Sequence, residues 1–291
     1  LHDGTVRVAE ENLTMPTSHL IGFAKSVLSA AGLSLLLVGV ADATPESRAA
    51  ANFLLFSPSA RAAGLGDAFV AIADDADATF FNPAALANDE QRALSTTFYK
   101  PVPSLASDIF TSFGAYTQPF GGVGNFGLSM IYTSLGTQFR TDEQGNDLGT
   151  FTSFGVAFGV SYGAHLTKSI SLGITTKLIH QDLAGQGAGA EQGSGTGTSF
   201  AGDLGFLWKP GDRFSFGWAL RNVGPNMTFI DADQSDPLPQ TFTIGFGWEL
   251  VRRGNGSFLL VADVYKPLPD EGFLSFITGW SDGTPSEEFK D

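Results

Sequence analysis

The feature that most constrains this chain is a strict two-residue alternation running through most of its length after residue 90. In one stretch Phe154, Val156, Phe158, Val160, Tyr162, Ala164 and Leu166 fall on one side. Ser153, Gly155, Ala157, Gly159, Ser161, Gly163 and His165 fall on the other. In the same way Phe126, Leu128, Met130 and Tyr132 oppose Asn125, Gly127 and Ser129. Ile170, Leu172, Ile174 and Leu178 oppose Ser171, Gly173, Thr175 and Lys177, and Phe214, Phe216 and Trp218 alternate with Ser215, Gly217, Ala219 and Arg221. Phe242, Ile244, Phe246 and Trp248 alternate with Thr243, Gly245, Gly247 and Glu249. Successive strand side chains point to opposite faces, so each segment is a strand with one bulky apolar face and one small face.

A soluble sandwich alternates too, but its wet face carries charge. Here the second face is Gly, Ser, Thr and Ala, and charged residues make up 16% of the chain, against about 25% in an average soluble domain. Many of the alternating segments are also much longer than the roughly 5 or 6 residues of an ordinary soluble strand. A strand needs roughly 9 to 11 residues to cross a bilayer, and only a closed barrel satisfies its backbone there. The pattern therefore predicts an all-β fold, a transmembrane antiparallel β-barrel with its apolar face outward and its small polar face inward. On that face Lys177, Arg221 and Glu249 are the expected charged side chains pointing into the lumen.

Ten strands are read, at 93–101, 107–119, 122–136, 151–167, 169–182, 198–209, 213–224, 239–252, 256–267 and 273–282. Connections after even-numbered strands are short, and three after odd-numbered ones are long: 137–150, 183–197 and 225–238. Outer-membrane barrels keep short turns in the periplasm and long loops outside, which puts the amino end of this barrel in the periplasm. The chain starts at Leu1 rather than Met and stops in the charged stretch Ser286 to Asp291. It reads as a piece of a longer barrel, with strands missing beyond residue 291.

The amino end has the grammar of export. After Met15 comes Lys25, an apolar run from Val27 to Val40, and then Ala41-Asp42-Ala43, a small-x-small cleavage site. Gly32, Ser34 and Gly39 break the run well short of the roughly 20 apolar residues of a membrane-spanning helix. Residues 1–14 are read as upstream leader, 15–43 as signal peptide, 44–92 as a segment preceding the barrel, and 93–291 as the barrel.

Composition narrows function by exclusion. Thirty acidic residues against 16 basic ones give a net charge of −14, so a basic footprint for nucleic acid is absent. With no Cys there is no disulfide, thiolate metal site or Cys nucleophile. No metal or other cofactor is expected. Gly159-Val160-Ser161-Tyr162-Gly163 matches a nucleophile elbow, with His165 nearby. That elbow needs a strand-to-helix turn, whereas Ser161 sits in mid-strand, and Gly122-Val123-Gly124-Asn125-Phe126-Gly127 enters a strand rather than a helix. The chain is not expected to be an enzyme.

Residues 53–88 break the alternation. They form a Gly/Ala-rich stretch with acidic punctuation and an Asn-Pro turn, suited to folding inside the lumen as a hatch. Ser59-Ala-Arg61-Ala-Ala-Gly64-Leu-Gly66-Asp67-Ala-Phe69, then Ala73-Asp74-Asp75-Ala76, then Asn82-Pro83-Ala84-Ala85-Leu86, resembles the PorV/PorQ family, which is related to FadL-type outer-membrane transporters. The resemblance implies an outer-membrane barrel of about fourteen strands when complete, with an amino-terminal hatch. Asn82, Pro83 and Ala84 match the hatch turn, and Asp74 and Asp75 match its acidic pair. Arg61 and Asp67 lie in the same motif, and Gly64 and Gly66 match positions of expected close backbone packing. These residues are read first as holding the hatch together and second as gating or ligand contacts.

PorV-like members imply a docking or shuttle role in type IX protein secretion, with exported cargo or a translocon as partner. FadL-like members imply passage of a hydrophobic small molecule. Docking is the leading expectation, and outer-membrane lipid is the expected surrounding in either case.

Overall fold

The computed structural model describes residues 49–104, 106–141, 144–184, 195–229, 235–254 and 256–268. The expected leader, signal peptide and strand at 273–282 lie outside the described residues.

Nine strands form one antiparallel meander: β1 (Ala93–Tyr99), β2 (Ile109–Phe120), β3 (Gly124–Thr141), β4 (Asp147–His165), β5 (Ile170–Ala184), β6 (Gly195–Trp208) and β7 (Phe214–Val223), then β10 (Thr241–Arg253) and β11 (Gly256–Pro267). Between β7 and β10 a small hairpin of β8 (Met227–Thr228) and β9 (Ser235–Asp236) makes its own sheet. Among the described residues β1 and β11 are the two edges of the large sheet.

The alternation fixes which face is which. On β4 Ser153, Ala157 and Ser161 are buried, whereas Phe158 and Val160 are 50% and 53% exposed. On β5 Thr175, Lys177, Ile179 and Gln181 are buried, and Leu172, Ile174 and Leu178 are exposed. The small-residue face is the inside, and the bulky apolar face looks out along the whole sheet. No helix among the described residues is long and apolar enough to cross a membrane. The outward face of the strands is the exposed apolar surface of the described residues.

Two belts of rings run round that outer face. Phe98, Phe110, Tyr132, Phe154 and His180 touch in series across β1 to β5, with centroids 5.3 to 6.0 Å apart. Nearer the short turns, Phe120, Phe126 and Tyr162 form a second series at 5.5 and 5.0 Å, and Trp208 packs edge-on against Phe214. Paired aromatic girdles flanking an apolar band about 25 Å tall are the mark of an outer-membrane wall. Along β4 the eight-residue step from Phe154 to Tyr162 spans roughly 27 Å at the rise of a strand.

One expected loop is strand instead. Residues 137–150 were read as a long connection, but β3 and β4 pair through most of it, from Thr137↔Thr152 to Thr141↔Asp147. The register shifts between Ser134 and Thr137, and Gly136 adopts a left-handed φ of 84°. Past this bulge Thr137, Gln138, Arg140, Asp147, Thr150 and Thr152 outnumber the apolar Phe139, Leu148 and Phe151. The hydrogen-bonded ladder continues where the apolar alternation has faded. An 18-residue strand is well beyond the roughly 9 to 11 residues with which a tilted strand crosses a bilayer, so its far end runs past the apolar band, where strict alternation is no longer kept.

Candidate functional site

The inner face of the sheet is occupied by residues 49–89. This hatch contains a 3-10 turn at Asn52–Leu55, α1 (Ala60–Gly64), α2 (Ala78–Phe81) and a 3-10 helix at Pro83–Asn88. The Ser59 hydroxyl caps α1 by accepting from the Ala62 N–H at 3.3 Å. Gly66 and Asp67 then both take left-handed φ values, 65° and 62°, and reverse the chain, with the Asp67 N–H donating to the Ala62 carbonyl. A left-handed φ is what requires glycine at position 66. Nothing lies within 4 Å of where a Cβ would sit at Gly64 or Gly66, so close backbone packing at these two is corrected.

Asn82 is the keystone of the hatch. Fully buried, its side-chain amide donates to the Val70 carbonyl at 2.7 Å and to the Phe206 carbonyl of β6 at 3.0 Å. Its oxygen accepts from the Ala84 N–H at 3.1 Å. Pro83 supplies the first position of the following turn, where its missing N–H costs nothing. On the surface of the hatch the Arg61 guanidinium donates to Asp74 and, at 3.0 Å, to Asp75, and sits 5.0 Å over the Phe69 ring. The Asp74 bond holds the Arg61 pKa above its ordinary value, whereas burial pushes Asp75 up.

Four strands each send one polar side chain inward to hold hatch backbone. Asn125 of β3 donates to the Leu86 and Asp89 carbonyls at 2.5 and 2.7 Å. Gln181 of β5 accepts from the Ala51 N–H at 2.9 Å. Arg221 of β7 donates to the Phe80 carbonyl at 3.3 Å and lies 4.9 Å over the Phe80 ring. Asp263 of β11 accepts from the Phe69 and Val70 N–H groups at 2.8 and 2.9 Å. These bonds satisfy backbone groups that the hatch's short helices leave open.

The inner glycines have the same explanation. A Cβ on Gly163 would meet the Pro83 carbonyl at 2.5 Å, and one on Gly217 the Val70 carbonyl at 2.8 Å. On Gly173 and Gly205 it would run into Pro83 and Asn82, and on Gly155 into the Phe53 ring. The small face is small because hatch backbone lies directly on it, which the sequence pattern alone did not distinguish from a solvated lumen.

Lys177, Arg221 and Glu249 all sit on the inner face. Lys177 is buried in an ion pair with Asp203 at 2.7 Å and also donates to Asn222 at 2.8 Å. Asn222, in a left-handed conformation, donates its N–H to Asp203 and its amide to the Pro239 carbonyl. Lys177 is thus a packing partner of the interior, whereas Arg221 bonds the hatch and also faces a crevice beside it. Glu249 lies near the short turns and accepts from Arg252 at 2.8 Å. Ser161 and His165 are not joined: the Ser161 hydroxyl bonds Thr175 at 2.8 Å, and His165 bonds Ser171 at 3.0 Å.

Among the described residues, cavities flank the hatch on more than one side. A basin of about 860 Å³ opens at the short-turn end, between the hatch and the β4–β5, β6–β7 and β10–β11 turns. A crevice of about 360 Å³ lies between the hatch and β7, β10 and β11, lined by Leu55, Phe80, Phe81, Arg221, Asp263 and Tyr265.

Among solved structures the chain is similar to a TodX ΔS2S3 mutant described as a monoaromatic hydrocarbon channel. The identity is 13%, with 66% of this chain and 65% of that chain covered and a TM-score of 0.41. It is likewise similar to the Pseudomonas putida toluene transporter TodX, at 13% identity, 65% and 64% coverage and a TM-score of 0.40. The chain therefore spans about 65% of the length of these structures. No curated protein matches. A family profile described as "Type IX secretion system protein PorV" matches residues 44–268, a span that takes in the hatch with its Asn82 keystone and all nine strands of the sheet, and the chain belongs to the PorV family.

Proposed function

We propose that this protein is an outer-membrane docking component of type IX secretion, which holds exported cargo or a translocon against its loops and outer wall. In this reading the amino end and the short turns face the periplasm. The family supports the secretion role. The observation that carries docking over conduction is the filled interior. Hatch backbone at Pro83 and Ala84 lies on Gly163, Gly173 and Gly205 of three adjacent strands, and four strand side chains bond that backbone in place. A barrel so packed works through its surfaces.

A conduit for hydrophobic compounds is the second reading. Its supporting observation is the crevice beside the hatch, where Leu55, Phe80 and Phe81 give an apolar wall. Deletion of the complete gene in its native host separates the two. Docking requires exported proteins to accumulate in the periplasm while uptake of aromatic hydrocarbons is unchanged. Loss of hydrocarbon uptake with normal secretion would overturn docking in favour of the conduit.

A further inference from the structure

We infer that the connection between β7 and β10 is a strap that locks the long-loop end of the hatch, and that lifting the strap releases this end alone. The hatch runs along the inner face of the sheet from one end to the other. Phe53 lies against Gly155 and Pro83 against Gly163, eight residues apart on β4, or roughly 27 Å along a strand. At the short-turn end the hatch is clamped by glycines of β4, β5 and β6 and by the two bonds from Asn125. At the long-loop end two consecutive N–H groups tie it down. The Ala50 N–H donates to the Pro237 carbonyl of the connection at 2.9 Å, and the Ala51 N–H donates to Gln181 of the wall at 2.9 Å.

The connection is folded inward onto the hatch. Met227 and Leu238 are fully buried and join Ala50, Ala51 and Phe53 in one apolar cluster. Met227 sits on Gly197 of β6, where a Cβ would meet its side chain at 2.7 Å. The roots of the connection are tied to the wall: Ser199 donates to the Pro225 carbonyl at 3.0 Å, and Asn222 to the Pro239 carbonyl at 2.9 Å. Pro237 thus belongs to a segment fixed at both roots and held down between them by two buried side chains. Beneath it Ala51 has a φ of 53°, a left-handed conformation that a residue with a Cβ keeps only where its surroundings impose it. The run Pro83–Asn88 at the short-turn end contains no such residue. The long-loop end of the hatch is therefore held against its backbone preference, and the strap supplies one of the two bonds that hold it.

The chain has no Cys, so one introduced thiol reports on one place. The full chain in lipid nanodiscs carries either Ala50→Cys at the long-loop end or Ala85→Cys at the short-turn end, both buried positions, and maleimide labelling is timed. Met227→Ala with Leu238→Ala removes the two buried anchors of the strap. This pair is expected to speed labelling at Ala50→Cys about tenfold or more, because a buried thiol is labelled through local opening, and to leave Ala85→Cys unchanged. Leu238→Ala alone gives a smaller acceleration in the same direction. Gly173→Ala, which presses on Pro83, is expected to do the reverse, speeding Ala85→Cys and leaving Ala50→Cys unchanged. An unchanged rate at Ala50→Cys in both strap variants overturns the proposal, because the strap would then not be what holds that end. Equal acceleration of the two thiols by either set of variants also overturns it, because the hatch would then open as one body.

Discussion

At the scale of single residues, one methyl group tells the two faces of the wall apart. Gly173 and Gly205 face inward, and a Cβ on either would overlap Pro83 or Asn82. Gly114 faces outward onto an apolar dent of about 350 Å³, with open space where its Cβ would go. Gly173→Ala or Gly205→Ala is expected to cost about 1–3 kcal/mol of overpacking, and Gly114→Ala close to nothing, measured by urea unfolding in lipid vesicles. Equal costs would mean that the hatch does not rest on these strands. Asn82→Ala strands two buried carbonyls and an N–H at once, and about 2–4 kcal/mol is expected from the bonds lost and the groups left unpaired. Asp89 gives a pH signature. Burial, against the pull of Thr117, pushes its carboxyl from 3.8 up to about 6. A carboxyl with a raised folded-state pKa holds its proton more tightly when folded. Its favourable contribution is therefore complete below pH 3.8 and is lost as pH rises through about 6. Asp89→Asn removes that loss, so the variant should be at least as stable as the parent at pH 7 and should flatten the stability profile between pH 4 and 6. An unchanged profile would show that Asp89 is solvated.

At the scale of elements, the hatch has too little regular structure to stand by itself. Its helices are 4 to 6 residues long, far below the length at which a helix holds in water. The bonds from Asn125, Gln181, Arg221 and Asp263 supply what it lacks. Asp263→Ala removes the acceptor of the Phe69 and Val70 N–H groups, close to the exposed Arg61. Trypsin cleavage at Arg61 is expected to speed up severalfold, because proteolysis follows local opening. A cleavage rate equal to the parent's would mean that β11 does not hold the hatch. Legibility in the sequence follows the same division. Strand faces were readable because alternation is a local signal: Val160 outward and Ser161 inward follow from period two alone. The contacts of the hatch were not readable, because Gly173 against Pro83 is a pairing 90 positions apart, and a glycine packed on backbone looks the same in sequence as one facing water. Residues 137–150 failed for a related reason. There the ladder of β3 and β4 runs on without a buried face to write a pattern.

At the scale of the whole molecule, the outer face and its two ring belts make one physical claim, that this wall lies in a bilayer of a definite thickness. Val160 and Leu128 lie between the belts, while Phe139, 81% exposed, lies on the far extension of β3 beyond them. A soluble sheet would treat an outward charge at all three positions alike, since each would be in water. A lipid-facing wall would not. Arginine at the bilayer midplane of such a barrel costs about 2–4 kcal/mol, falling to about 0–1 near the interfaces. Leu128→Arg and Val160→Arg are therefore expected to destabilise by about 2–4 kcal/mol and Phe139→Arg by less than about 1, read from reversible unfolding in vesicles. The contrast should shrink when the same variants are unfolded from short-chain detergent, whose apolar layer deforms round a charge more easily than a bilayer does. A flat profile across the three positions would remove the membrane from the account of this wall. A peaked one would fix how deep β3 and β4 sit in the bilayer, and through their register the depth of the strands paired with them.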